Sequence, residues 1–262
     1  MKNLLGILSL ALIFTGCKSE TKENEEIVIT QENIEVEADS VAISIDPITH
    51  GTAIINWGDA VIYLDPTGGA EAFEGKSNPD FVLITDIHGD HMDAKTLAAL
   101  ELGDIKILAP QAVKDQLPKE LGDRISVINN DETQQFMEFS ITAIPMYNLP
   151  EAADAFHPKG RGNGYILKKD GKRLYISGDT EDIPEMRSLK NIDMALVAMN
   201  LPYTMTVDQA AEAVLAFQPK QVYPFHYRGG DGLSDVEKFK ELVNQKNPNI
   251  EVVLLDWYPE MN

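Results

Sequence analysis

Cysteine is nearly absent from this chain of 262 residues: there is one, Cys17, close to the start. Everything after it lacks a thiol, which excludes a disulfide framework and a cysteine nucleophile, so stability must come from a core. Positive charge is also scarce, with 22 lysines and arginines against 42 acidic residues and a net charge of −20. Such a surface repels phosphate backbones and speaks against a nucleic-acid partner. The apolar run from Leu4 to Phe14 is too short to cross a bilayer as a helix. No internal repeat is present, and no Gly-x-Ser-x-Gly elbow offers a serine nucleophile. The glycine-rich stretch "GRGNG" at 160–164 lacks the lysine and helix start of a phosphate-binding loop and reads as a turn.

What is present begins with a leader. A lysine, the apolar run, small residues and then Cys17 read as a secretory signal over residues 1–16. The stretch "FTGC" resembles a bacterial lipobox, in which the cysteine carries lipid and becomes the mature N-terminus; Phe14 stands where leucine is usual. Residues 17–40 follow as an acidic, solvated tether, since 18–40 hold eight acidic and two basic side chains. The expectation is an exported lipoprotein of the outer membrane, hung from it by lipid on Cys17. Residues 41–262 are then a single domain, long enough for a sizeable core.

From Val41 the chain reads as a β meander, "VAISI", "TAIINW" and "AVIYLDP". After "FVLIT", strands alternate with helices: "DAKTLAALEL", "IKILA", "QAVKDQL", "ISVIN" and "EFSITAIP". A hairpin turning on Asp170-Gly171 comes next, then "MALVAM", helix "VDQAAEAVLAF", strand "QVYPF", helix "SDVEKFKELVNQ" and strand "EVVLL". Ser234 and Glu237 fit a capping box for that final helix. Many strands with helices in both halves suggest two sheets packed face to face and covered by helices.

The chemistry concentrates at strand ends. "TDIHGDH", Thr85–His91, sets His88, Asp90 and His91 within four residues, and Gly89 lets the loop turn them inward. Asp179 follows a strand in "RLYISGDT", His226 follows another in "QVYPFHY", and Asn148 and His157 lie in the loop after a third. Of only five histidines, four sit at such ends, where a rigid scaffold positions functional loops.

The order "HGDH", a loop histidine, "GDT" and "FHY" resembles the metallo-β-lactamase superfamily of metal-dependent hydrolases. The likeness is strongest to the branch with lactonase-like and phospholipase-D-like members, on "ITHGTAIINWGDAVIYLDP" and "YNLPEAADAFHPKGRGNGY". Over residues 41–256 it implies an α/β fold, the four-layer αββα sandwich. It also implies His88 as a ligand of a first metal, Asp90, His91 and His226 as ligands of a second, and Asp179 bridging the two. The remaining first-site ligand is His157 or Asn148, with imidazole the better donor. The family motif is His-x-His-x-Asp-His, and Asp86 stands at its first histidine. In an extended segment residues 86, 88 and 90 point the same way, so Asp86 can still face a metal. As an oxygen donor with a negative charge it tilts the site from zinc toward manganese or iron(II). The alternative is that Asp86 turns away, leaving one ion or none. His50 and Asp65 are expected beside the ligands or substrate, with Asp65 orienting a ligand. Tyr147, Lys159, Arg161, Tyr203, Tyr227 and Arg228 are candidates to hold an anionic or carbonyl substrate.

Two divalent cations, zinc or in its place manganese or iron, would activate water for attack on an ester, lactone or phosphodiester. Asp179 and Asp90 are the expected catalytic carboxylates. The expected partners are a small-molecule or lipid-like substrate and, through the anchor, a membrane; no protein partner is indicated. The rival expectation is a non-catalytic envelope lipoprotein, a binding or scaffold component that keeps the fold over a degenerate metal site.

Overall fold

Successive residues of a strand face opposite ways, so a strand apolar at every position must be covered on both sides. Phe81-Val82-Leu83 is one. In the computed structural model, which describes residues 42–261, Phe81 and Leu83 enter one core while Val82 and Ile84 enter another. Two cores separated by a sheet require a further layer on each side.

Those layers are in place among the described residues. The first sheet opens with an antiparallel meander, β1 (Ile43–Thr49), β2 (Thr52–Trp57) and β3 (Ala60–Leu64). It continues in parallel through β4 (Phe81–Leu83), β5 (Lys106–Ala109) and β6 (Ile125–Val127). Helices α1 (Ala94–Ala99), α2 (Gln111–Gln116) and α3 (Lys119–Gly122) cover its outer face, where Leu97, Val113 and Leu121 meet Ile54, Val82 and Ile107. The second sheet starts with antiparallel β7 (Thr133–Phe136), β8 (Phe139–Met146), β9 (Gly162–Lys169) and β10 (Lys172–Ile176). Parallel β11 (Met194–Ala198) and β12 (Gln221–Phe225) extend it. A separate ribbon of β13 (Arg228–Gly229) and β14 (Gly232–Leu233) follows, and β15 (Glu251–Val252) closes the second sheet beside β12. Helices α4 (Pro184–Arg187), α5 (Val207–Phe217) and α6 (Val236–Lys246) pack on it through Met186, Val214, Phe217 and Phe239. This is the expected helix–sheet–sheet–helix sandwich. Aromatic rings bind its two sheets: Trp57 of β2 meets Phe139 of β8 edge-on at 5.3 Å, and Phe81 of β4 lies 5.5 Å from the same ring.

Local chemistry explains both the agreements and the departures. The hairpin turns as expected on Asp170 and Gly171, whose φ angles of 49° and 73° match the twist of the strands they join. A capping box does form, but on α5, between Thr206 and Gln209. At α6 the cap is Asp235, which accepts from Lys238 N, because Ser234 instead donates its hydroxyl to Met199 O. The "GRGNG" stretch is more than a turn: β9 begins at Gly162. A Cβ on Gly162 would lie 2.9 Å from Thr85 O, and one on Gly164 2.7 Å from Ser177 O, so glycine here permits close backbone approach. Elements β7, α3 and α4, four residues each, escape the sequence reading, and "EVVLL" pairs only at Glu251–Val252. The expected signal, lipidated Cys17 and tether lie outside the described residues. Within them no helix is long and apolar enough to cross a membrane.

Candidate metal centre

Both sheets deliver side chains to one edge of the sandwich. β4 runs into the Thr85–His91 loop, β8 into the long loop carrying Asn148 and His157, β10 into Ser177-Gly178-Asp179, and β12 into His226. The turn between β1 and β2 adds His50, and β3 ends at Asp65. Three donor groups result: Asp86, His88 and His157; His91, Asp179 and His226; and His50, Asp90 and His226.

Asp179 stands between the first two groups. Its Oδ2 lies 3.2 Å from His91 Nε2 and 3.3 Å from His157 Nε2, and its Oδ1 3.4 Å from His226 Nε2. In the first group Asp86 Oδ2 is 3.1 Å from His88 Nδ1 and 4.0 Å from His157 Nε2. Asp90 Oδ2 sits 3.2 Å from His50 Nε2 and 3.5 Å from His226 Nε2, with Oδ1 3.9 Å from His91 Nε2. The residues carried over from the family motif thus meet, although not by the geometry expected. The 86–91 segment is not extended: His91 N and Met92 N both donate to His88 O, so the chain turns over. That turn carries Asp90 away from Asp86 to the His50 side.

Neighbouring groups orient the donors. Asp65, 1% exposed, accepts from Thr85 N (2.7 Å) and Thr85 Oγ1 (2.6 Å) and pairs with His91 Nδ1 at 2.8 Å, turning Nε2 toward Asp179. His50 Nδ1 contacts Tyr258 Oη at 2.8 Å, and its ring lies 3.9 Å from that of His226. Asn148 does not reach the donors. Its Oδ1 accepts from His157 N (2.7 Å), and its Nδ2 donates to Tyr203 O (2.8 Å) and Glu181 Oε1 (3.3 Å). The geometry therefore puts the His157 imidazole in the first group and makes Asn148 a brace of its loop.

Charge is concentrated here. Burial alone would lower the His91 pKa, but the Asp179 and Asp65 carboxylates outweigh it and hold the imidazole well above its usual range. Burial would raise Asp179, yet the charges of His226 and His91 pull it well below. Asp90 is likewise depressed against the effect of burial, by hydrogen bonds from His226 and His50. Burial raises Asp65 and lowers His50 and His88.

These donors fit divalent cations. His157 is 1% exposed, and neither of its ring nitrogens has a hydrogen bond. Asp179 Oδ1 and His226 Nδ1 are also buried without one. Buried polar atoms are rarely left so, and clustered imidazoles and carboxylates are the donor set for zinc, manganese or iron.

Among the expected substrate-holding residues, only Tyr203 lines the cavity over the donors, a space of about 210 Å³ that it shares with His88, Asp90, Phe156, His157, Asp179 and Asn200. Arg161 instead grips Asp86, donating from Nε to Oδ1 (3.0 Å) and from Nη2 to Oδ2 (2.8 Å). Lys159 is drawn off by Glu151 and Glu185, and Tyr147 donates to Glu185. Tyr227 is buried against Tyr258, and Arg228 donates its backbone N–H to Tyr258 Oη. Phe156, Asn200 and Tyr258 carry no sequence signal tying them to the site. Their places follow from the loop paths.

Comparison with known proteins agrees with the fold and with metal dependence. Residues 57–227 match the beta-lactamase superfamily domain. A UPF0173 metal-dependent hydrolase of Pyrococcus abyssi is 31% identical over 200 residues, covering 72% of this chain and 87% of its own. The crystal structure of a Parabacteroides distasonis protein described as a metal-dependent hydrolase is 39% identical. It superposes with a TM-score of 0.72 over 82% of this chain and 94% of that one. CmlA, a diiron β-hydroxylase from Streptomyces venezuelae, shares the fold alone, at 17% identity and a TM-score of 0.58 over 82% of this chain and 53% of its own. The chain therefore belongs to the metallo-β-lactamase superfamily, among its metal-dependent hydrolases.

Proposed function

We propose that this hydrolase cleaves a neutral carboxylic ester or lactone bearing an apolar group, with two divalent ions, zinc by preference, while tethered to a membrane through lipid on Cys17. The composition of the cavity supports the substrate class. Its lining includes two carboxylates and no arginine or lysine among the described residues, the neighbouring Arg161 and Lys159 being engaged by Asp86, Glu151 and Glu185. With both carboxylates committed to the metals, the lining offers no cationic side chain beyond them to hold the charged oxygen of a phosphodiester, the third bond the family resemblance suggests. Apolar surface meanwhile frames the opening. Phe156 is 53% and Tyr203 37% exposed, and their rings meet edge-on at 5.0 Å. Large exposed aromatics beside a polar cavity are poised to bury an acyl or aromatic substituent.

Divalent ions bound here would supply Lewis acidity and lower the pKa of water. The chain's own groups do the rest. Asp86, His88 and His157 on one side, and His91, His226 and Asp90 on the other, would hold the cations, and Asp179 stands between the two groups of donors. Asp179, kept ionised by the imidazoles around it, orients the attacking water. Asp90 is 41% exposed toward the cavity and steadied by His50, so it can take the proton of the attacking water and pass it to the leaving alkoxide. Against the rival reading of a non-catalytic envelope protein stands the gathering of the donors, five of which, Asp86, His91, His157, Asp179 and His226, are buried.

The test is turnover by the zinc-loaded protein of p-nitrophenyl esters and γ-lactones with acyl chains of rising length, against bis-p-nitrophenyl phosphate. Ester or lactone cleavage that rises with chain length and stops on chelation is expected. Faster phosphodiester cleavage would overturn the substrate class, and membrane retention of Cys17→Ser would overturn the tether.

A further inference from the structure

We infer that Arg161 is the built-in counter-charge that lets Asp86 serve where the family has a histidine, the two forming one neutral ligand unit of the first donor group. This rests on the reading of that group as a metal site. Asp86 is fully buried, and a buried carboxylate is costly unless paired and hydrogen-bonded. The Arg161 fork satisfies it on both oxygens, from Nε to Oδ1 at 3.0 Å and from Nη2 to Oδ2 at 2.8 Å. Oδ2 still faces His88 Nδ1 and His157 Nε2, so the oxygen within the donor group is polarised by the arginine without being removed from it. A histidine at position 86 would bring no charge. Aspartate brings −1 and Arg161 brings +1, so the group keeps the net charge of three neutral imidazoles while exchanging a nitrogen donor for an oxygen.

The backbone explains why this arginine is in reach. Asn163 N donates to Thr85 O at 2.9 Å, and Gly162 leaves no room for a Cβ against that same carbonyl. The start of β9 is thereby pressed onto the residue before Asp86. Arg161 Nη2 also donates to Phe156 O at 2.6 Å and lies 3.3 Å from His88 Nε2. One guanidinium therefore joins the loop bearing Asp86 and His88 to the residue preceding His157. Lysine could supply the charge but not the fork. Arg161 is thus a positioning residue, and it and Asp86 should be exchangeable only together.

The experiment is zinc stoichiometry and affinity of the full chain, by equilibrium dialysis at stepped free zinc and elemental mass spectrometry, for wild type, R161M, R161K, D86H and D86H/R161M. Loss of an orienting partner weakens a metal site by roughly 10–100-fold, so R161M is expected to lose one of two ions by at least about tenfold, with R161K giving at most partial rescue. D86H alone, which leaves the guanidinium beside an imidazole and a cation, should be as weak. D86H/R161M should recover to within about threefold of wild type, a rescue well inside that range that a merely structural arginine would not produce. The inference is overturned if D86H binds two ions as tightly as wild type, if R161M keeps both, or if the double variant is no better than the singles. Should R161M fail to fold, the comparison of D86H with D86H/R161M decides alone. A wild type that binds fewer than two ions would instead bring down the underlying metal-site reading, and the inference with it.

Discussion

Replacing Asp65 with asparagine should damage the metal centre far more than the fold, and the structure says why. The carboxylate takes three hydrogen bonds, two from Thr85 and one from His91 Nδ1. The last fixes the imidazole with its proton on Nδ1 and leaves Nε2, 3.2 Å from Asp179 and 3.1 Å from His226 Nε2, as the donor. An asparagine oxygen in place of Oδ1 can still accept from Thr85 N. Its amide then faces Thr85 Oγ1 and His91 Nδ1, and by donating to Nδ1 it moves the imidazole proton to Nε2, where it blocks a ligand position. A lost orienting partner of this kind weakens metal binding by about 10–100-fold, or about 1.4–2.8 kcal/mol. Stability of the metal-free fold should respond less than zinc affinity, because the burial penalty that raises the Asp65 pKa is relieved in a neutral amide and offsets part of the lost pairing with His91. The assay is zinc competition against a chromophoric chelator, beside thermal melts and ¹⁵N chemical shifts of the His91 ring. Zinc affinity within about threefold of wild type, against the roughly 10–100-fold loss expected, with the proton still on Nδ1, would rule out this orienting role for Asp65.

Because Asp179 and Asp65 hold His91 well above its usual range, the metal-free protein carries its proton at neutral pH. Zinc binding at pH 7 should release that proton and weaken as pH falls, giving calorimetric heats that scale with buffer ionisation enthalpy; identical heats in phosphate and Tris would contradict it. Trp57→Ala should cost about 3–5 kcal/mol in denaturant titration by opening the space between the sheets. Trp57→Phe should cost less, because the indole N–H has no hydrogen bond to lose, and neither variant should change zinc stoichiometry. Phe156→Ala should raise KM for long-chain esters by about tenfold or more, since burying one large side chain is worth about 1.5–3 kcal/mol, and leave acetyl esters unchanged. Equal effects on both would remove Phe156 from substrate recognition.

Strand ends were legible because apolar runs stop abruptly at polar residues: "FVLIT" before Asp86, "RLYIS" before Asp179 and "QVYPF" before His226 each point to a loop on a rigid edge. The layering was legible too, from many strands with helices in both halves of the chain. The partner of Asp86 was not. Arg161 lies 75 residues away, and its approach depends on the backbone contact between Gly162 and Thr85, which no periodicity encodes. The same holds for Asn148, whose side chain suits ligation by type but is consumed by three local hydrogen bonds. Ser234 failed as a cap for a similar reason, a competing carbonyl supplied by a distant strand end.

The donors enter the chain in widely separated places, from His50 at the first turn to His226 after β12. A ribosome delivers such a chain from its N-terminus, so Asp86, His88 and His157 are present well before His226. Until β12 has docked beside β11, however, the group around Asp179 lacks the imidazole of His226. Full loading of the donors therefore has to follow the docking of β12, which makes the ion supply that matters the one wherever the finished sandwich resides.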